Sequence, residues 1–249
     1  MITVVAGPCG AGKTTWILQE LAQMPTLAVY VTPGVDPVPI DATRVAAQFP
    51  QVEIFHQQSE TELLQRLAAG VPAYFEIGFQ LETDMPLLEA RPHRRVALAA
   101  DENRDDDWQL WADKVIRGNQ STLDLQSAQL WRAPLSGQVF DPPSLDTFWQ
   151  ELIQGAYGEL HRAKGIFELA DGQAIHLNFV DSLPGIVYTE LNLPRWVQGR
   201  PQRFSGIEVV GQGLDKGAIA ATLKDCYLSD SLLAAHQTTL RDSLSLEAS

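Results

Sequence analysis

The chain is short of several things, and each shortage excludes something. Its 249 residues include two cysteines, Cys9 and Cys226, near opposite ends. No disulfide framework and no paired-cysteine metal motif is legible, so a reducing, cytoplasmic compartment is the expectation. Basic residues are scarce: 18 lysines and arginines stand against 31 acidic residues, a net charge of −13. A nucleic-acid partner is not expected, because a phosphate backbone needs a basic face. A metal ion or a basic protein patch suits that charge better. No run of about 18 apolar residues occurs, and no basic segment leads into an apolar leader, so no membrane partner is expected. Hydrophobic residues make up 45% of the chain, ordinary for a globular protein. The length allows one full domain and a smaller one.

The first fifteen residues say most. Ile2-Thr3-Val4-Val5-Ala6 is a β-branched apolar run. Gly7-Pro8-Cys9-Gly10-Ala11-Gly12-Lys13-Thr14 follows and fits G-x-x-x-x-G-K-[ST] at every fixed position. Thr15-Trp16-Ile17-Leu18 then opens a helical pattern. A phosphate needs this arrangement. Glycines let backbone N–H groups curl around anionic oxygens, and the helix start aims its dipole at the same anion. Lys13 adds a full charge toward the β- and γ-phosphates, and the Thr14 hydroxyl can ligate Mg²⁺. Gly7, Gly10, Ala11, Gly12, Lys13, Thr14 and Thr15 are therefore the expected nucleotide-binding residues.

Along the first part, strands are expected at 2–6, 27–32, 52–55, 73–77, 95–100 and 114–117. Helices fall between them at 13–24, 60–69 and 106–113, and residues 33–39 form a proline-rich loop. This alternation predicts an α/β fold: a P-loop domain with a mostly parallel sheet wrapped by helices. Breakers at 136–144 suggest a boundary, after which Ser144 caps a helix over 145–154. Strands are expected at 164–169, 173–179, 185–189 and 204–210, with Asp171-Gly172 as a tight turn, then a helix at 215–225. The expected division is a nucleotide-binding domain at 1–140, a small α+β C-terminal domain at 141–228, and a polar tail at 229–249. That tail is expected to hold a short helix and then fray.

The C-terminal part adds a resemblance. Arg162-Ala163-Lys164-Gly165-Ile166-Phe167, Phe204-Ser205-Gly206-Ile207-Glu208-Val209-Val210-Gly211, then Leu214-Asp215 and a helix ending at Cys226, resemble the C-terminal domain of the CobW-like proteins. The resemblance implies a P-loop GTPase of the SIMIBI class, associated with metal handling. Tyr74-Phe75-Glu76-Ile77-Gly78 looks like the family's Glu-x-x-Gly strand end, which gives Glu76 a catalytic role. Ala112-Asp113-Lys114-Val115-Ile116 looks like the strand leading to its guanine-reading motif, which brings Asn119 toward the base.

The chain also departs from that family. Phe55-His56-Gln57-Gln58-Ser59 stands where a Cys-x-Cys-Cys metal motif belongs, so soft thiolate ligands are missing. Asn119-Gln120-Ser121-Thr122 keeps only the asparagine of Asn-Lys-x-Asp, and Asp124 comes two places late. Poor discrimination between guanine and adenine is the expectation. Glu76 is followed by a glycine two places on, not three. Asp101 follows a strand, where it either reaches Mg²⁺ through water or serves as a loop aspartate. Asp105-Asp106-Asp107 suits a helix start better than a metal cluster. The expected cofactor is Mg²⁺ with GTP or ATP, and a client metalloprotein is the implied partner. The first functional reading is nucleotide binding with slow hydrolysis, coupled to metal-cofactor handling or partner binding. The alternatives are a degenerate interaction scaffold and a small-molecule kinase.

Overall fold

A computed structural model describes residues 1–24, 26–33, 37–55, 60–78, 86–89, 91–101, 107–120 and 127–247. The chain divides into two units, Met1–Thr122 and Leu123–Ser249.

The first unit holds six strands: β1 (Ile2–Ala6), β2 (Ala28–Val31), β3 (Val52–Phe55), β4 (Ala73–Glu76), β5 (Arg94–Ala99) and β6 (Lys114–Arg117). They lie in the order β3-β2-β4-β1-β5-β6, and each of these pairings is parallel. β1 is buried at all five positions, as a central strand covered on both faces must be. Alternation along each strand feeds two cores. On one face Val5, Tyr30, Tyr74 and Val96 pack with Ile17, Leu18 and Leu21 of α1 (Lys13–Ala22) and with Val45 of α2 (Ile40–Gln48). On the other, Val4, Val29, Val31 and Phe75 pack with Leu63 of α3 (Glu60–Ala68), and Trp108 and Trp111 of α4 (Asp107–Trp111) flank them. Because all six strands run the same way, their carboxyl ends share one edge. That edge gathers the loop after β1, the end of β4, and the segments after β2, β5 and β6.

α2 was not expected from the sequence. It follows directly on the proline-rich stretch, and two of its four buried residues are alanine: Ile40, Ala42, Val45 and Ala47.

The second unit is a mainly antiparallel sheet in the order β11-β10-β9-β12-β7. Its strands are β7 (Gln129–Pro134), β8 (Val139–Phe140), β9 (Glu159–Leu169), β10 (Ala174–Val180), β11 (Val187–Glu190) and β12 (Gly206–Gln212). β8 adds a short parallel pairing to β9. The core joins Phe148, Trp149 and Leu152 of α5 (Pro142–Ile153), Phe167 and Ile175 from the sheet, and Ile219 and Leu223 of α6 (Lys216–Asp225). Asp171-Gly172 is the tight turn expected, with Gly172 at φ +80. This unit begins upstream of the breakers at 136–144, because β7 pairs with β12 along six residues.

Two local expectations are corrected. Ser144 does not cap α5. Asp141 does, its carboxylate accepting from the Ser144 N–H at 3.1 Å and the Ser144 hydroxyl at 2.6 Å, with prolines in the first turn. The tail is not a short frayed helix: α7 runs over Asp230–Glu247, 18 residues. Leu233 packs with Val139 and Leu228, and Gln237 makes two hydrogen bonds to the Gly199 backbone, at 2.7 and 2.8 Å. No described helix is long and apolar enough to cross a membrane.

Candidate nucleotide site

The loop between β1 and α1 has the backbone its glycines predict. Gly7, Gly10 and Gly12 adopt φ of 143, 78 and 96°, which side-chain-bearing residues rarely take up. Gly12 is the N-cap of α1, with no side-chain cap and no acidic residue in the first turn. A helix start of this kind suits an anion. Lys13 is buried and folds back over the loop, its Nζ donating to the Gly7 carbonyl at 2.8 Å and the Pro8 carbonyl at 3.0 Å. Both acceptors are neutral, so an anionic phosphate oxygen would be the stronger partner. Ala11 is buried and donates its N–H to the Pro8 carbonyl at 3.3 Å. Thr15 is exposed on α1.

Thr14 meets Glu76. The threonine hydroxyl donates to Glu76 Oε1 at 2.8 Å, across 62 residues of sequence. The pairing follows from the sheet: β1 and β4 are parallel neighbours in register Val5↔Glu76, so the end of β4 lies beside the loop that β1 feeds. Glu76 Oε2 accepts from the Tyr30 hydroxyl at 2.7 Å. Glu76 is buried, and burial pushes its carboxyl pKa up. The Asp41 carboxylate adds to the rise, while Lys13 and the Tyr30 and Thr14 hydrogen bonds oppose it.

Asn119 is stapled to the same loop. Its side-chain amide donates to the Gly10 carbonyl at 3.0 Å and its backbone N–H to the Ala11 carbonyl at 3.1 Å. Gly118 makes this approach possible, since a Cβ there would lie 2.7 Å from the Ala11 carbonyl oxygen. Asp101 is exposed just beyond β5, and its carbonyl accepts from the Gln109 side chain. The structure thus brings together Gly7, Gly10, Ala11, Gly12, Lys13, Thr14, Glu76 and Asn119. Ser121, Thr122, Asp124, Asp105, Asp106 and the 56–59 segment lie outside the described residues.

Sequence reasoning missed two members of this site. Tyr30 reads as a core strand residue, and only its hydroxyl amid Ala28, Val29 and Val31 hints otherwise. Asp41 sits in the first turn of α2, a helix the pattern hid.

The donor set suits a hard cation. The Thr14 hydroxyl and the Glu76 carboxylate, with Asp41 as the nearby second carboxylate, offer oxygen ligands of the kind Mg²⁺ takes. Among the described residues no group of three or more His, Cys, Asp or Glu side chains is gathered for a metal. Phosphate oxygens and water would complete the Mg²⁺ shell.

Residues 135–227 match the family described as the cobalamin synthesis protein cobW C-terminal domain. The stretch spans β8 to α6 and includes all three segments that carried the sequence resemblance, which is borne out there. Among solved structures the chain is similar to the zinc-bound YjiA GTPase of E. coli, at 16% identity and a TM-score of 0.33, with 90% of this chain and 98% of that one covered. A zinc-bound triple mutant of the YjiA GTPase matches at 14% identity and a TM-score of 0.34, with 90% and 98% covered. At those scores neither likeness carries an argument. No curated protein matches the chain.

Proposed function

We propose that this chain, which carries a CobW C-terminal domain at residues 135–227, binds a nucleoside triphosphate with Mg²⁺ in its first unit and hydrolyses it slowly. One observation carries the reading most. α1 starts bare of any side-chain cap, under a glycine loop, with buried Lys13 folded back onto the Gly7 and Pro8 carbonyls. Lys13 already acts on the buried Glu76 carboxyl, and a phosphate oxygen would give it an anionic hydrogen-bond partner in place of the two carbonyls.

The chemistry asked of the residues is modest. Loop N–H groups and the helix start cradle the phosphates, and Lys13 moves from the Gly7 and Pro8 carbonyls to β- and γ-phosphate oxygens. Thr14 and Glu76 are the residues that would hold Mg²⁺, with Asp101 as a contact through water. Bound there, Mg²⁺ supplies neutralisation of phosphate charge. Glu76 would also take the γ-phosphate-sensing role that the family resemblance implies. No arginine in the loop supplies a second charge to the transition state, so the intrinsic rate is low.

Asn119 Nδ2 is engaged by the loop, which supports a bracing role over base selection. GTP and ATP affinities are expected within roughly tenfold, about 1.4 kcal/mol. A strong GTP preference that disappears in Asp124→Ala would overturn that. The nucleotide state would govern binding of a partner, for which a metalloprotein client is the proposal. Calorimetric titration with Mg²⁺-GTP and Mg²⁺-ATP, followed by phosphate-release kinetics, tests the reading. Binding with slow release supports it; absence of binding to either nucleotide supports the interaction scaffold instead.

A further inference from the structure

We propose that Tyr30 is a positioning residue: its phenol fixes one oxygen of Glu76 so that the other stays on Thr14. The proposal rests on the nucleotide and Mg²⁺ reading above. Its basis is geometric. Glu76 Oε2 accepts from Tyr30 at 2.7 Å while Oε1 accepts from Thr14 at 2.8 Å, so different oxygens are held from different sides. A carboxylate gripped at both oxygens cannot turn about its last torsion. The sheet explains why a tyrosine reaches it. Tyr30 is in register with Tyr74 on the neighbouring strand, two residues before Glu76, so all three side chains share one face. A diagonal neighbour at that spacing is within reach of an aromatic side chain. Tyr30 is fully buried, and phenylalanine would fill the same apolar volume. The hydroxyl is the part that core packing does not require. It also offsets the repulsion that Asp41 exerts on a buried carboxylate.

A purely structural tyrosine and a positioning tyrosine differ in one readout. The Mg²⁺ enhancement is the ratio of triphosphate affinity in Mg²⁺ to that in EDTA. In Tyr30→Phe the EDTA affinity is expected to stay within about twofold, and the enhancement to fall about tenfold, the loss of one hydrogen bond to a charged group. In a Glu76→Gln background Tyr30→Phe is expected to change the enhancement no further. A thermal melt accompanies each variant. Should Tyr30→Phe not fold, 3-fluorotyrosine at position 30 keeps the shape and alters the donor, and the enhancement is expected to change while EDTA affinity does not. An enhancement equal to wild type in either variant overturns the proposal alone. A wild-type chain that binds triphosphate equally with and without Mg²⁺ overturns the site reading with it.

Discussion

Backbone atoms at the phosphate loop come closer than a Cβ would allow. The amide and side chain of Asn119 reach the Ala11 and Gly10 carbonyls only because Gly118 has no side chain. Gly118→Ala must move the end of β6 or the loop itself, since both groups in the clash are backbone. Triphosphate affinity is expected to fall about tenfold in this variant, equally for GTP and ATP, when both are titrated calorimetrically. A loss confined to GTP would mean that Asn119 reads the base. Cys226 makes a second case. Its thiol is pushed up to about 11 by burial first, then by the Asp225, Asp141 and Glu151 carboxylates. An unfolded thiol ionises near its ordinary value of 9.0, so the unfolded chain holds fewer protons in between. The stabilising contribution is full below pH 9 and is lost as pH rises toward 11. Unfolding free energies of wild type and Cys226→Ala, from denaturant titrations, are expected to converge by about 2 kcal/mol between pH 8 and pH 10.5. Parallel pH dependences would contradict this.

Elements were legible where one physical rule dominated. β1, β2 and β4 stood out because burial at every position makes them near-continuous apolar runs, and all six parallel strands lie within a residue of the expected ends. The phosphate loop was legible because glycine, lysine and threonine at fixed spacing leave few other uses. α2 is hidden in the sequence because prolines precede it and alanine fills half of its buried positions. β7 was lost because it is an edge strand: its exposed and half-buried positions hide the alternation, and its last residue is proline. Tyr30 and Asp41 were unreadable because their role appears only when β2, β4 and α2 are side by side. The α5 cap was misplaced because Asp141 and Ser144 are both capping residues, and only the hydrogen bonds tell them apart. Asp141→Ala is expected to lower stability by about 1 kcal/mol in chemical denaturation, and Ser144→Ala by less. In the second sheet, Glu208 is buried between Lys164 at 3.1 Å and Arg132 at 2.6 Å. Glu208→Ala brings two cations together without their counter-charge, and a loss of about 3 kcal/mol is expected by the same measurement.

The whole molecule carries a surplus of negative charge, and its −13 would repel a free triphosphate unless a local site overcame it. In the proposed site, loop amides, the start of α1 and Lys13 would provide that local reversal on the carboxyl edge of a parallel sheet. The second unit, in which residues 135–227 match the cobW C-terminal domain family, has its own core, so a change at Lys13 should leave that unit standing. Calorimetric titration of Mg²⁺-triphosphate into wild type and Lys13→Ala, each with a thermal melt, tests the account most directly. The account predicts binding by wild type, a ten- to hundredfold loss in Lys13→Ala from about 1.5–3 kcal/mol of charged hydrogen bonding, and a melt little changed. Equal affinity in the two proteins would contradict it.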